Sequence, residues 1–81
     1  MTVKARVYVS LKKSVFDPQG KTIHDALHSM GYAQFQDVRQ GKFFEVELTA
    51  PSVEAAKAAV DEVSRKVLAN PVIESFRVEV L

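Results

Sequence analysis

The chain has 81 residues and a mass of 9.0 kDa. This length allows a single domain, over residues 1–81, with a thin core. It contains no cysteine, which excludes a disulfide framework, a thiolate metal site and a cysteine nucleophile. Its formal net charge of +1 is too small for binding to nucleic acid or an anionic membrane mainly through electrostatics.

The first part of the chain predicts a strand followed by a helix. Residues 3–11 alternate apolar and polar side chains, which is typical of a strand with one buried face. Asp17 and Pro18 favour a helix start, because Asp caps free N–H groups and Pro has no N–H to leave unpaired. Residues 17–20 also suit a type I turn, after which the helix would still follow. Gly31 is expected to end this helix in a left-handed conformation, after an apolar stripe of Ile23, Ala26, Leu27 and Met30.

The rest of the chain predicts a hairpin, a second helix and a last strand. Strands over 34–39 and 42–49 would be joined at Gln40 and Gly41, because glycine supplies the positive φ of a tight turn. Pro51 and Ser52 open the second helix, and Asn70–Pro71 ends it. Residues 72–81 then form the last strand.

These elements predict an α+β domain in the order βαββαβ. The simplest topology is ferredoxin-like, a two-layer four-stranded antiparallel sheet with two helices on one face. The helix-free face would carry Tyr8, Phe43 and Ile73 among charged side chains. Such a surface is too apolar to be left in contact with water and too charged to be a core. We therefore expect the protein to oligomerise through this face of the sheet, with those three residues in the contact.

No motif in the chain predicts an active site of its own. The two histidines, His24 and His28, are spaced as on a metal-binding helix, but no third ligand is suggested, so we expect surface histidines. RNA-recognition domains share the predicted order, but Glu45 and Glu47 would line the face where phosphates lie. No apolar run reaches membrane-spanning length and the start lacks a secretory core, which favours a cytoplasmic location without membrane contact. A regulatory module that binds a small metabolite at a dimer interface remains the alternative function.

Three segments together resemble one family over essentially the whole chain. They are Asp-Pro-Gln-Gly at 17–20, Val-Arg-Gln-Gly-Lys at 38–42 and Leu-Ala-Asn-Pro-Val-Ile-Glu at 68–74. This combination resembles PurS, the small subunit of phosphoribosylformylglycinamidine synthase in purine biosynthesis. The resemblance implies a dimer or tetramer with no catalytic centre and no bound cofactor, within a complex that uses ATP and magnesium. It also implies two partners, a PurQ-like glutaminase that releases ammonia and a PurL-like synthetase that uses it.

Eight residues in these segments are candidates for contacts with those partners. In the predicted last strand, Glu74 lies on the same face as the core-facing residues. Its carboxylate therefore needs a hydrogen-bond donor or a basic residue at the margin of the sheet. Four of the others also have structural roles in turns and helix starts, namely Asp17, Pro18, Gly20 and Gly41. The full set is Asp17, Pro18, Gln19, Gly20, Gly41, Lys42, Asn70 and Glu74.

Overall fold

The computed structural model describes residues 1–81 as three strands and two helices. The elements are β1 (Thr2–Leu11), α1 (Pro18–Ser29), β2 (Gly41–Thr49), α2 (Val53–Val63) and β3 (Glu74–Val80). A π-helical turn over Ser64–Leu68 continues α2. No helix combines the length and the apolar character that crossing a membrane requires.

The sheet is antiparallel, and β1 lies at its centre between β2 and β3. Val7 is opposite Phe44 on one side and opposite Val78 on the other. The alternation predicted for β1 is confirmed, since Val3, Ala5, Val7 and Val9 are all buried.

The prediction of a four-stranded sheet is wrong, and the observed order is β-α-β-α-β. Residues 34–39 form no strand, and therefore no hairpin turns at Gly41. Phe35 and Val38 are three residues apart, so a strand would place them on opposite faces and leave the segment without an apolar side. The segment is instead tied to the region around α1, where Arg39 donates to the carbonyls of Lys12 and Val15 at 3.0 Å each.

Only one helix covers the sheet, which corrects the prediction of two. The main core cluster comprises Ala5, Val7, Val9, Val60 and Ala69, and a smaller cluster adds Val3, Ala50 and Ala56. All of these residues belong to β1, to α2 or to the segments that flank α2. Helix α1 adds no residue to either cluster. The molecule is elongated, with dimensions of 52 × 25 × 14 Å.

The helix boundaries follow the local signals in the sequence. Asp17 caps α1 by accepting from the Gly20 N–H at 2.9 Å, and Ser52 caps α2 by accepting from the Ala55 N–H at 3.1 Å. Gly31 follows α1 with a φ of 92°, the left-handed conformation that glycine adopts without steric cost. These capping predictions are confirmed.

Candidate functional site: a polar cleft at one end of the sheet

A polar cleft of about 280 Å³ lies where the end of β1 meets the starts of α1, β2 and β3. It brings together five of the eight predicted contact residues, although they lie far apart in the chain. Its lining comprises Val9, Ser10, Leu11, Asp17, Gln19, Gln40, Gly41, Lys42 and Glu74.

Asp17 forms the inner wall of this cleft and is 5% exposed. Besides capping α1, its carboxylate accepts from the backbone N–H of Gln40 at 2.7 Å. The N–H groups of Gln40 and then Gly20 lower the pKa of Asp17 below its usual value, because hydrogen bonds to a carboxylate favour its charged form. Asp17 therefore joins the start of α1 to the start of β2.

Two side-chain amides bridge the same two elements at the rim of the cleft. The Gln40 side-chain N–H donates to Oε1 of Gln19 at 2.8 Å. Both glutamines are exposed, so this pair presents a remaining carbonyl oxygen on Gln40 and remaining N–H donors on both residues.

Lys42 and Glu74 face each other across the cleft. Nζ of Lys42 lies 3.7 Å from Oε2 of Glu74, and the lysine side chain is 55% exposed while that of Glu74 is 16% exposed. The other carboxylate oxygen of Glu74 accepts from the Asn70 N–H at 2.7 Å. A carboxylate on the core-facing side of the strand was expected to need a donor or a basic residue. Glu74 has both, the Asn70 N–H and Lys42.

Asn70 organises the turn before β3 and does not line the cleft. Its side-chain oxygen accepts from the Val72 N–H at 3.1 Å, and its carbonyl accepts from the N–H groups of Ile73 and Glu74. Asn70 therefore acts on the cleft through Glu74.

Close backbone contacts explain the two glycines of the site. A Cβ on Gly20 would lie 2.2 Å from the carbonyl oxygen of Val38, and a Cβ on Gly41 would lie 2.8 Å from that of Val9. Pro18 occupies the first turn of α1 and is exposed.

Sequence reasoning did not single out Ser10 and Gln40 as residues of the site. The end of a regular strand gives no sign that the hydroxyl of Ser10 will line a cleft. The sequence predicts Gln40 only as a turn residue, although it lies within the segment 38–42 that carries the family resemblance.

The helix-free face of the sheet carries Tyr8 and Phe43 side by side, with ring centroids 6.1 Å apart. The guanidinium of Arg77 lies 4.3 Å from the ring centroid of Tyr8, and that of Arg6 lies 5.2 Å from the ring centroid of Phe43. Ile73 precedes β3 and is 38% exposed. A role for Tyr8, Phe43 and Ile73 in a contact between copies stays a prediction.

The two histidines of α1 lie against each other, with ring centroids 4.3 Å apart. Nδ1 of His24 is 3.3 Å from the Asp25 carboxylate, and Nε2 of His28 is 2.8 Å from the carbonyl oxygen of Phe35. His28 therefore helps to attach the segment after α1 to the helix.

Comparison with known proteins assigns the chain to a family. The model of the family described as PurS, phosphoribosylformylglycinamidine (FGAM) synthase, matches residues 4–81. The chain belongs to the PurS family. The resemblance inferred from three short segments is thereby confirmed, and with it the assignment to FGAM synthase of purine biosynthesis.

Relatives of known sequence and structure agree with this membership. The PurS subunit of FGAM synthase from Bacillus subtilis is 51% identical over 77 residues, which are 95% of this chain and 90% of that protein. A solved structure of B. subtilis PurS matches with a TM-score of 0.83 and 49% identity, over 100% of this chain and 99% of that one. A chain in the structure of PurLQS from Thermotoga maritima matches with a TM-score of 0.91 and 30% identity, over 100% and 99% of the two chains.

Proposed function

We propose that this chain joins the large synthetase and the glutaminase of an FGAM synthase and assists the transfer of ammonia between them. The observation that carries the proposal is the match along the whole chain to a chain of the T. maritima PurLQS structure. Ammonia released into water is protonated or lost, so a junction that excludes water favours its delivery. The glutaminase would hydrolyse glutamine, and the synthetase would use ATP and magnesium to form the new C–N bond.

The polar cleft supports a role in contacting one of these partners. Lys42 carries three N–H donors, its side chain is half exposed, and one carboxylate lies 3.7 Å from its Nζ. Glu74 is held by the Asn70 N–H, so it positions Lys42 at the rim. The charged and amide groups of Lys42, Gln19 and Gln40 would then form hydrogen bonds with the partner, supported by Asp17, Pro18, Gly20, Gly41 and Asn70.

Reconstitution of the complex tests this function directly. The synthetase and the glutaminase are mixed with and without this chain, and FGAM formation is measured with glutamine and, separately, with ammonium chloride. We expect the chain to be needed for the glutamine-dependent rate and to matter much less when ammonium is supplied, because free ammonia needs no transfer. Equal rates with and without the chain on glutamine would contradict the proposal.

A further inference from the structure

The polar cleft at the end of the sheet contains charges of both signs that are only loosely paired. Nζ of Lys42 and Oε2 of Glu74 are 3.7 Å apart, which exceeds the roughly 2.7–3.2 Å of a normal N–H···O hydrogen bond. The N–H donors of Lys42 and the lone pairs on Oε2 of Glu74 are therefore still able to form short hydrogen bonds. Both charges are available to a ligand that enters the cleft.

These charges narrow the class of ligand that fits. A small anion would meet the carboxylates of Glu74 and of the buried Asp17, and a lone cation would meet the ammonium group of Lys42, so each would be repelled by a like charge. An apolar molecule would leave the polar groups without water and without partners. A zwitterion satisfies both signs, because its carboxylate accepts from Lys42 while its ammonium group donates to Glu74. One long ion pair is then replaced by two charge-assisted hydrogen bonds.

The size of the cleft and the amides at its rim narrow the ligand further. The volume of about 280 Å³ lies just below the ~300–1,000 Å³ of pockets for larger ligands, which favours a small metabolite. The Gln19–Gln40 pair leaves a carbonyl oxygen and N–H donors free at the rim. A carboxamide is complementary to such a pair, because it too carries an acceptor oxygen and two N–H donors.

We infer that this cleft binds a free α-amino acid with a carboxamide side chain. The carboxylate of the ligand lies on Lys42, its ammonium group on Glu74, and its side-chain amide on Gln19 and Gln40. The site goes beyond the proposed subunit role, because it needs only residues of this chain. Since a partner subunit would contact the same groups, we expect the amino acid and the partner to compete for the cleft.

Heteronuclear NMR of the isotope-labelled isolated chain tests the site. L-glutamine and L-asparagine are titrated while the backbone N–H signals of Gly41 and Lys42 and the side-chain N–H signals of Gln19 and Gln40 are followed. We expect saturable shifts at these positions at millimolar ligand. L-leucine, a zwitterion without an amide, and propionamide, an amide without charges, should bind at least tenfold more weakly. The absence of a saturable shift, or equal binding of L-leucine or propionamide, would overturn the inference.

Two substitutions that remove one charge each show whether both signs are needed. Lys42→Gln removes the cation, and Glu74→Gln removes the anion while keeping an oxygen that accepts from the Asn70 N–H. We expect each to weaken the binding of L-glutamine at least tenfold. Lys66→Gln, at an exposed lysine outside the cleft, is the matched control and should bind as the wild type does. Wild-type affinity in Lys42→Gln or Glu74→Gln would overturn the inference. The reconstitution above tests the subunit role separately, so either proposal can fail without the other.

Discussion

At the residue scale, Asp17 connects α1 to β2 through its two carboxylate oxygens, and the same contacts make the fold sensitive to acid. Its pKa in the folded chain lies below the usual 3.8 because the Gln40 and Gly20 N–H groups stabilise the charged form. Asp17 therefore contributes stability above pH 3.8 that is lost as the pH falls through its lowered folded-state pKa. Asp17→Asn should unfold at lower urea than the wild type at pH 7 and lose less stability on acidification.

Asp25 provides the control for this pH experiment. Lys21, and to a lesser extent His24, lower the pKa of Asp25 as well, but the Lys21–Asp25 pair is exposed on the surface of α1. Surface ion pairs contribute little to stability, so Asp25→Asn should unfold close to the wild type. If the two variants gave the same urea midpoints and pH profiles, the connecting role of Asp17 would be refuted.

Gly20 is required by the approach of another backbone segment. A Cβ there would lie 2.2 Å from the Val38 carbonyl oxygen, which belongs to backbone and has little freedom to move. Gly20→Ala should therefore lower the free energy of unfolding by about 1–3 kcal/mol, the usual cost of overpacking.

Gly31→Ala gives a comparison for a glycine with open space around it. Apart from its two neighbours in the chain, no residue has an atom within 4 Å of a Cβ built at Gly31, although its φ is 92°. The cost should then be about 1 kcal/mol, from backbone conformation alone. Urea unfolding of the two variants measures the difference, and a smaller loss for Gly20→Ala would argue against the close contact.

Lys42 is the residue of the cleft whose removal should affect assembly most and folding least. The Lys42 side chain is 55% exposed, and its ammonium group forms one ion pair and lies 5.7 Å from the ring centroid of Phe44. Such contacts contribute little at an exposed site, so Lys42→Ala should fold with near wild-type stability. We expect it to lower the affinity for the synthetase and glutaminase by at least about tenfold, seen as reduced co-elution, because the loss of a charged hydrogen bond at an interface costs roughly 1.5–3 kcal/mol.

Glu74→Ala should produce a related defect, because Glu74 holds Lys42 and the Asn70 turn in place. Lys66→Ala, which removes an exposed lysine on the π-helical turn, is the control. Unaltered co-elution of Lys42→Ala and Glu74→Ala with both larger subunits would exclude the cleft as a contact surface.

At the scale of elements, α2 is the helix on which the core depends. Ala56 and Val60 are buried against the sheet, and Ser52 caps the helix N-terminus. Ser52→Ala should cost about 1 kcal/mol of unfolding free energy, whereas Ser52→Asp should retain most of the stability because a carboxylate can also accept the capping N–H. Thermal unfolding of the pair checks this, and equal losses would show that capping is not the cause.

At the scale of the whole molecule, self-association of folded chains makes stability depend on protein concentration. If folding and association are coupled, a tenfold rise in concentration adds about 1.4 kcal/mol per mole of dimer. The thermal midpoint should therefore rise with protein concentration. A midpoint for the wild type that is independent of concentration would contradict coupled folding and dimerisation.

The sequence by itself determined the features that depend on neighbouring residues. The alternation in β1, the caps at Asp17 and Ser52 and the left-handed Gly31 are local, so their signals lie within a few residues. The family was also readable, because three short segments retain their order and spacing over the whole chain.

Only the tertiary structure decided which segments pair and what the helices cover. The spacing of Phe35 and Val38 disfavours a strand over residues 34–39 but does not say where the segment packs. The hydrogen bonds of Arg39 and of the Gln40 N–H, to residues more than 20 positions away, determine that it lies near α1. The cleft likewise unites Asp17, Lys42 and Glu74 from distant positions. An apolar stripe such as that of α1 shows that a helix must be covered; whether the cover belongs to the same chain depends on contacts that no local pattern encodes.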